Sequence, residues 1–533
     1  MELSGGILLG ASIAVASADP FEPPDFNVTD ALIKNGIDVS SVPGLAGLVG
    51  RSSNNGCSVA CNSLNFLFGN SSVLFEGSSA YDAFTGAYWS GQQGQVNPFC
   101  IFKPTSALQV STTVLISRLT QCPFAAKSGG HAAFAGASSI EGGITIALDK
   151  MDSIVLSSDK KLAAIGPGNI WLRVYETLEK ESLVVIGGRV QDIGVSGLTL
   201  GGGISHFANM RGWACDNVDS YEVVTASGLI ITASATSHPD LYWSLRGGGN
   251  NFGVVTKFIY RTFAQGPMWG GPRLLLEPEF DAVYTAFTKI AQNSAKDVKA
   301  AQIASFGVQA GFKLCITEIE YADPTPWPAI FDEYKAIPAA QDNTTIANLS
   351  TLTRNLGGGQ PTGARQTYWD WTSKLDRDFM KFSVDTLFEL VSTIADAPGV
   401  LPALSFQAIT VPAMQGMQQN GGNALGLDPS GGPIHIANLA LKWDDPADDE
   451  RMYSFSNTLW TRLRDEAAKR SLQSDFIYMN YASPWQDPIG SYGEKNKNRL
   501  KQVAGVYDPT GVFQRLAPGY FKLEGKPFGE FPA

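Results

Sequence analysis

Histidine, cysteine and charge are all scarce here: 533 residues carry four His, six Cys and only 17% charged side chains. Lys and Arg together number 39 against 50 Asp and Glu, a formal net charge of -11. Nucleic acids and anionic membranes are held through a basic footprint, so this balance argues against both and favours a small-molecule partner. Beyond the first twenty residues no apolar run approaches the ~18–20 residues that a membrane span needs. There is no G-x-x-x-x-G-K-[ST] phosphate loop, no G-x-G-x-x-G after a strand, and no internal repeat. His131, His206, His238 and His435 are scattered singly, and the one C-x-x-x-C, at Cys57 and Cys61, lacks a partner pair. No metal site is expected from such spacing.

What is present begins with length. A single core stops growing near ~250–300 residues, so two domains are expected. Residues 7–15 are apolar and run into Ala16, Ser17 and Ala18, the small-residue pattern of a signal peptide cut before Asp19. Sequons at Asn27, Asn70, Asn343 and Asn348 agree with passage through the secretory pathway. Cys57, Cys61, Cys100 and Cys122 crowd the N-terminal quarter, which in an exported chain suggests one or two disulfides. Cys215 and Cys315 read as buried thiols.

Periodicity divides the remainder. Residues 19–93 read as an N-terminal cap with a short helix over 61–68. Residues 94–267 alternate β-rich runs with a helix expected over 170–178, capped by Asn169, and a hairpin turning at Ser227-Gly228. Residues 268–472 hold longer helices (280–293, 376–396, 448–470) and strands (314–321, 404–410, 434–443), predicting an antiparallel sheet with helices on one face. The segment 355–363 reads as a loop. A strand over 476–482 and a helix over 492–504 close the chain in residues 473–533.

Glycine is the compositional excess, 56 residues where usage of about 7% predicts roughly 37. Seven fall between Gly187 and Gly203 in GGRVQDIGVSGLTLGGG, and RGGGNNFG follows at 246–253. Such clusters let the backbone approach a bulky ligand and offer N–H groups to anionic oxygens, a diphosphate above all. In KSGGHAAFAGAS, 127–138, Gly129 and Gly130 clear space before His131, whose neutral imidazole can attack an electron-poor carbon such as the 8α-methyl of a flavin. Ser128 and Ser138 offer hydroxyls to phosphate.

These segments, with CIFKP (100–104), GPGNIW (166–171), GWACDNV (212–218), DLYWSLRGGGNNFGVVT (240–256), YMNYAS (478–483), YGEKNKNRL (492–500) and YDPTGVFQ (507–514), resemble the berberine bridge enzyme-like FAD-linked oxidoreductases of the vanillyl-alcohol oxidase superfamily, and the fungal members in particular. The resemblance covers nearly the whole chain. It implies an α+β fold of two domains: a PCMH-type FAD-binding domain completed by the C-terminal segment, and a substrate domain with an antiparallel sheet. It also implies FAD bonded to His131, with Lys127, Ser128, Gly129, Gly130, Ser138, Gly194, Val195, Gly197, Gly201, Gly202, Gly253, Val255 and Asn480 around the cofactor. Tyr481 is the expected catalytic base. Val190 stands where many members carry a second, cysteinyl attachment, so one covalent bond is expected. Ile193 falls where the family has a small gate beside the flavin, commonly valine in oxidases. The expected activity is oxidation of a small organic substrate with electrons passed to dioxygen, in fungal secondary metabolism. A dehydrogenase with another acceptor, carbohydrate oxidation included, and a non-redox cyclase or binding protein with structural FAD are the alternatives.

Overall fold

A computed structural model describes residues 21–48, 56–357 and 362–532; the expected leader lies outside them. The N-terminal half is built on two sheets. The first orders Val73–Phe75, Cys100–Phe102, Ile144–Ala147 and Phe124–Lys127, antiparallel at its first pairing and parallel at the other two. Helices Cys57–Phe68 and Ala107–Thr120 pack on it over a shared apolar core. Disulfides Cys57–Cys122 and Cys61–Cys100 fasten the first helix to the sheet's neighbourhood, while Cys215 and Cys315 are buried thiols. The second sheet is antiparallel, in the order Ile154–Leu156, Leu162–Ile165, Val254–Arg261, Val218–Val224, Ile230–Ser234. Its last hairpin turns at Ser227-Gly228, where Gly228 takes φ +78° and a Cβ would strike Leu115.

From Met268 onward one antiparallel sheet dominates. Its long strands lie in the order Met268–Leu276, Phe312–Tyr321, Ala300–Gln309, Leu401–Ile409, Ile434–Trp443, Arg365–Lys374. Side chains alternate between faces along each strand. One set, including Phe306, Ile319, Trp369, Trp371, Phe406, Leu439 and Trp443, packs with helices Phe280–Asn293, Arg377–Leu390 and Asp449–Lys469. The other set carries Glu318, Glu320, Tyr368, Asp370, Gln407 and Asn438, and faces the N-terminal half. A sheet that puts polar groups on its inner face is prepared for a ligand rather than for a dry core.

Three expected elements differ. The helix after Asn169 runs Trp171–Leu178 with Ile170 at its N-cap, because the Asn169 amide donates backwards to Gly166 and Ser153 carbonyls. The loop expected over 355–363 starts later, since helix Leu349–Gly357 takes its first residues; 358–361 lie outside the described chain. The strand expected over 476–482 is extended chain leading into a 3-10 turn, Met479–Tyr481. Its backbone is held by side chains instead of a neighbouring strand: Tyr478 N donates to Asp370, Ile477 N to Ser491, and Thr372 Oγ1 donates to the Phe476 carbonyl. The tail then runs against the N-terminal half, where Asn251 donates to the Phe521 carbonyl and Lys522 to Asn250.

Candidate active site

A cleft of about 1310 Å³, its mouth included, opens between the N-terminal half and the polar face of the large sheet. Strand Phe124–Lys127 delivers the Ser128–Ala132 backbone to one wall. The Ile193–Leu198 stretch crosses it so closely that a Cβ on Gly129 would lie 2.5 Å from Gly194 N, and one on Gly194 2.3 Å from Gly129 N. Only glycine permits that crossing. Gly197 is different: a Cβ there meets nothing within 4 Å, and the residue lines the cleft, so its missing side chain leaves open space on the ligand's side. Trp171 N and Leu172 N, at the start of the Trp171–Leu178 helix, donate to the Ile193 and Gln191 carbonyls and pin this stretch in place.

His131 lies on the wall with its ring flat on Trp89, centroids 4.2 Å apart and planes 11° from parallel. Burial drives its pKa down to about 4, so the imidazole is neutral at physiological pH. Neutrality is what a nucleophilic nitrogen requires. Across the cleft the Met479–Tyr481 turn presents Tyr478, Asn480 and Tyr481 together. The Tyr481 hydroxyl receives Arg189 Nη2 at 3.1 Å and Gln407 Nε2 at 3.0 Å, and Arg189 also donates to Gln407 Oε1. Two N–H groups are thus aimed at one phenolic oxygen. The Tyr478 oxygen accepts from Gly203 N, Ile204 N and Asn480 Nδ2, which ties the turn to the triple glycine.

Of the expected cofactor residues, the cleft gathers Ser128, Gly129, Gly130, His131, Ser138, Gly194, Gly197, Val255 and Asn480, with Tyr481 opposite. Lys127, Val195, Gly201, Gly202 and Gly253 are not on its wall. The Lys127 ammonium turns away over the Phe84 and Tyr88 rings, 4.9 and 4.8 Å from their centroids. Val195 is core; Gly201 and Gly202 are glycines because a Cβ would strike Asn480 and Trp213, and Gly253 because one would strike Val223. Neither serine hydroxyl is free: Ser128 Oγ donates to the Pro167 carbonyl and Ser138 Oγ to Gln93. The sequence did not single out Trp89, Arg189, Gln407 or Tyr368: Arg189 sits inside GGRVQDIGVSGLTLGGG, where the glycines drew the reading, and the other three come from separate segments with no motif of their own. Behind the wall, His206 Nδ1 stands 3.2 Å from Glu320 Oε2, both side chains almost fully buried.

Residues 98–234 match the family described as FAD binding domain. The chain is 36% identical over 449 residues to an FAD-dependent monooxygenase of Cochliobolus heterostrophus, covering 82% of this chain and 87% of that protein. It is 32% identical to an FAD-dependent monooxygenase of Aspergillus calidoustus over 99% of this chain and 97% of that one. Among solved structures, 6-hydroxy-D-nicotine oxidase from Arthrobacter nicotinovorans superposes with a TM-score of 0.68 at 20% identity, over 85% of this chain and 97% of the other. A xylooligosaccharide oxidase from Myceliophthora thermophila gives 0.67 at 21%, over 87% and 97%. The structural likeness shows the fold, a PCMH-type FAD-binding domain joined to a substrate domain, and the sequence relatives show the lineage. This chain is a member of the berberine bridge enzyme-like FAD-linked oxidoreductases.

Proposed function

We propose that the cleft holds FAD covalently, through an 8α-histidyl bond to His131, and that Tyr481 takes the proton when a small organic substrate is oxidised. One observation carries this reading: the neutral His131 imidazole and the Tyr481 hydroxyl, with its two N–H donors, face a single glycine-walled opening. FAD when bound supplies a two-electron acceptor for a hydride. The chain's part is to hold and orient. Trp89 fixes the imidazole plane, the Gly129, Gly130 and Gly194 backbone brings the wall close, and Gly197 leaves room. Asn480 donates to the Leu198 carbonyl and so keeps the turn bearing Tyr481 against that wall.

Dioxygen is the proposed acceptor, in keeping with relatives named monooxygenases. A second reading, a dehydrogenase with another acceptor, is favoured by Ile193, which lines the cleft with a bulkier side chain than the expected gate. Export belongs to the same proposal, supported by the two disulfides and by exposed sequon residues Asn27, Asn70, Asn343 and Asn348.

The test is direct. Acid-precipitated protein is expected to stay yellow, and His131→Ala to release its flavin; colourless precipitate from flavin-containing wild type rejects the covalent bond. Sugars, phenols and alkaloids are then screened for anaerobic bleaching of the flavin band. A spectrum that no compound bleaches would favour a structural flavin.

A further inference from the structure

Arg189 is the single charged side chain on the cleft wall among the described residues, His131 being neutral. Its recorded partners are the uncharged Gln407 and Tyr481, and no described carboxylate lies within ion-pair distance of it. Guanidinium does not lose its proton in proteins, so this charge persists. Glu318 and Glu320 are the acidic groups whose field reaches it, from the polar face of strand Phe312–Tyr321. They are buried against one another beside His206; burial holds both well above the usual carboxylate range, and the neighbouring Glu320 pushes Glu318 further up. A protonated pair does not cancel the guanidinium. A half-buried cation with neutral neighbours is costly until an anion joins it. The surfaces around it are flat and aromatic: Tyr368 and Tyr481 meet edge to face with centroids 5.9 Å apart, and Tyr478 stands 4.9 Å from Tyr481.

We infer that Arg189 is a substrate-binding residue that selects an aromatic oxyanion, a phenolate or an aryl carboxylate, and seats it beside Tyr481. The inference rests on the proposed reading of the cleft as the oxidation site. It names the class of substrate that site takes.

The test needs no turnover. Flavin-loaded, oxidised enzyme is titrated with 4-nitrophenol, whose colour distinguishes phenol from phenolate, with 4-nitrobenzoate, and with the uncharged 4-nitroanisole. Binding of at least one anion is expected to exceed that of nitroanisole by about ten- to hundredfold, the worth of a charge-assisted hydrogen bond. Nitrophenol should be bound as its phenolate. Arg189→Gln should erase the difference without altering nitroanisole binding, and Arg189→Lys should restore part of it. Equal affinity for anions and nitroanisole in the wild type overturns the inference, and does so even if the Gln variant fails to fold. So does a Gln variant that keeps its flavin and still prefers the anion, which would assign the charge to the cofactor. Flavin content and anaerobic bleaching test the oxidoreductase reading separately.

Discussion

At the scale of single residues, the proposed proton transfer rests on one oxygen, the Tyr481 hydroxyl. Tyr481→Phe keeps the ring and its edge contacts with Tyr368 and Tyr478 but removes the group that Arg189 and Gln407 address. Loss of a general base typically slows reaction ~10²–10⁴-fold. The variant is therefore expected to retain flavin and to be reduced more slowly under anaerobic stopped flow by about that factor; an unchanged rate assigns the proton to another group. Ile193 bears on the oxidative half. Densely packed walls do not absorb an extra methyl without closing space, so Ile193→Val is expected to speed reoxidation of the reduced enzyme by dissolved dioxygen. Fast wild-type reoxidation with no gain in the variant would remove the gate. That His131, Tyr481, Gly129, Gly130, Gly194 and Gly197 share one cleft could be expected from the sequence because local motifs surround them. The pairing of Arg189 with Gln407 could not, even though Arg189 lies within one of those motifs, since it is a hydrogen bond between residues 218 positions apart.

At the scale of elements, the alternation of strand Phe312–Tyr321 explains an apparent fault. Cys315 and Ile319 turn to the helices, so Glu318 and Glu320 must turn to the N-terminal half, where Glu320 is buried beside Glu318 and His206. Both carboxyls are raised by burial first and by each other second in the case of Glu318. The sign follows from the direction of the shift. A carboxyl that keeps its proton in the folded state contributes stability that is complete below the unfolded carboxylate pKa and is lost as pH rises toward the folded value. Glu320→Gln, permanently neutral, is thus expected to gain stability relative to wild type between pH 5 and pH 8, by up to about 1.4 kcal/mol per pH unit. Denaturant midpoints of both proteins at the two pH values check it; a constant difference would show that the pair is ionised when folded. Strand and helix positions in this half were legible from period and length: Phe280–Asn293 and Ile434–Trp443 fall where expected. Residues 476–482 were not, because an apolar run reads as a strand whether its backbone partners are another strand or, as here, the side chains of Asp370, Thr372 and Ser491.

For the molecule as a whole, the cleft belongs to no single segment. Its walls come from residues 126–148, 189–204 and 249–255, from Tyr368 on the large sheet, and from 478–481 and Tyr520 on the tail that runs against the N-terminal half. A group held there without a bond would touch segments from both halves and bind the folded state alone. Ligands that bind only the native state stabilise it by RT ln(1 + [L]/Kd), about 2.7 kcal/mol at a hundredfold excess over Kd. A covalently held flavin is part of the chain and obeys no such law. The thermal midpoint of the wild type is therefore expected to be indifferent to added FAD, whereas that of His131→Ala should climb with the logarithm of FAD concentration once sites are filled, by a few degrees per hundredfold for a chain this large. Melting both proteins across a series of FAD concentrations decides the matter. A wild-type midpoint that climbs in parallel with the variant would mean the flavin exchanges freely and that His131 contributes packing against Trp89 instead of a bond.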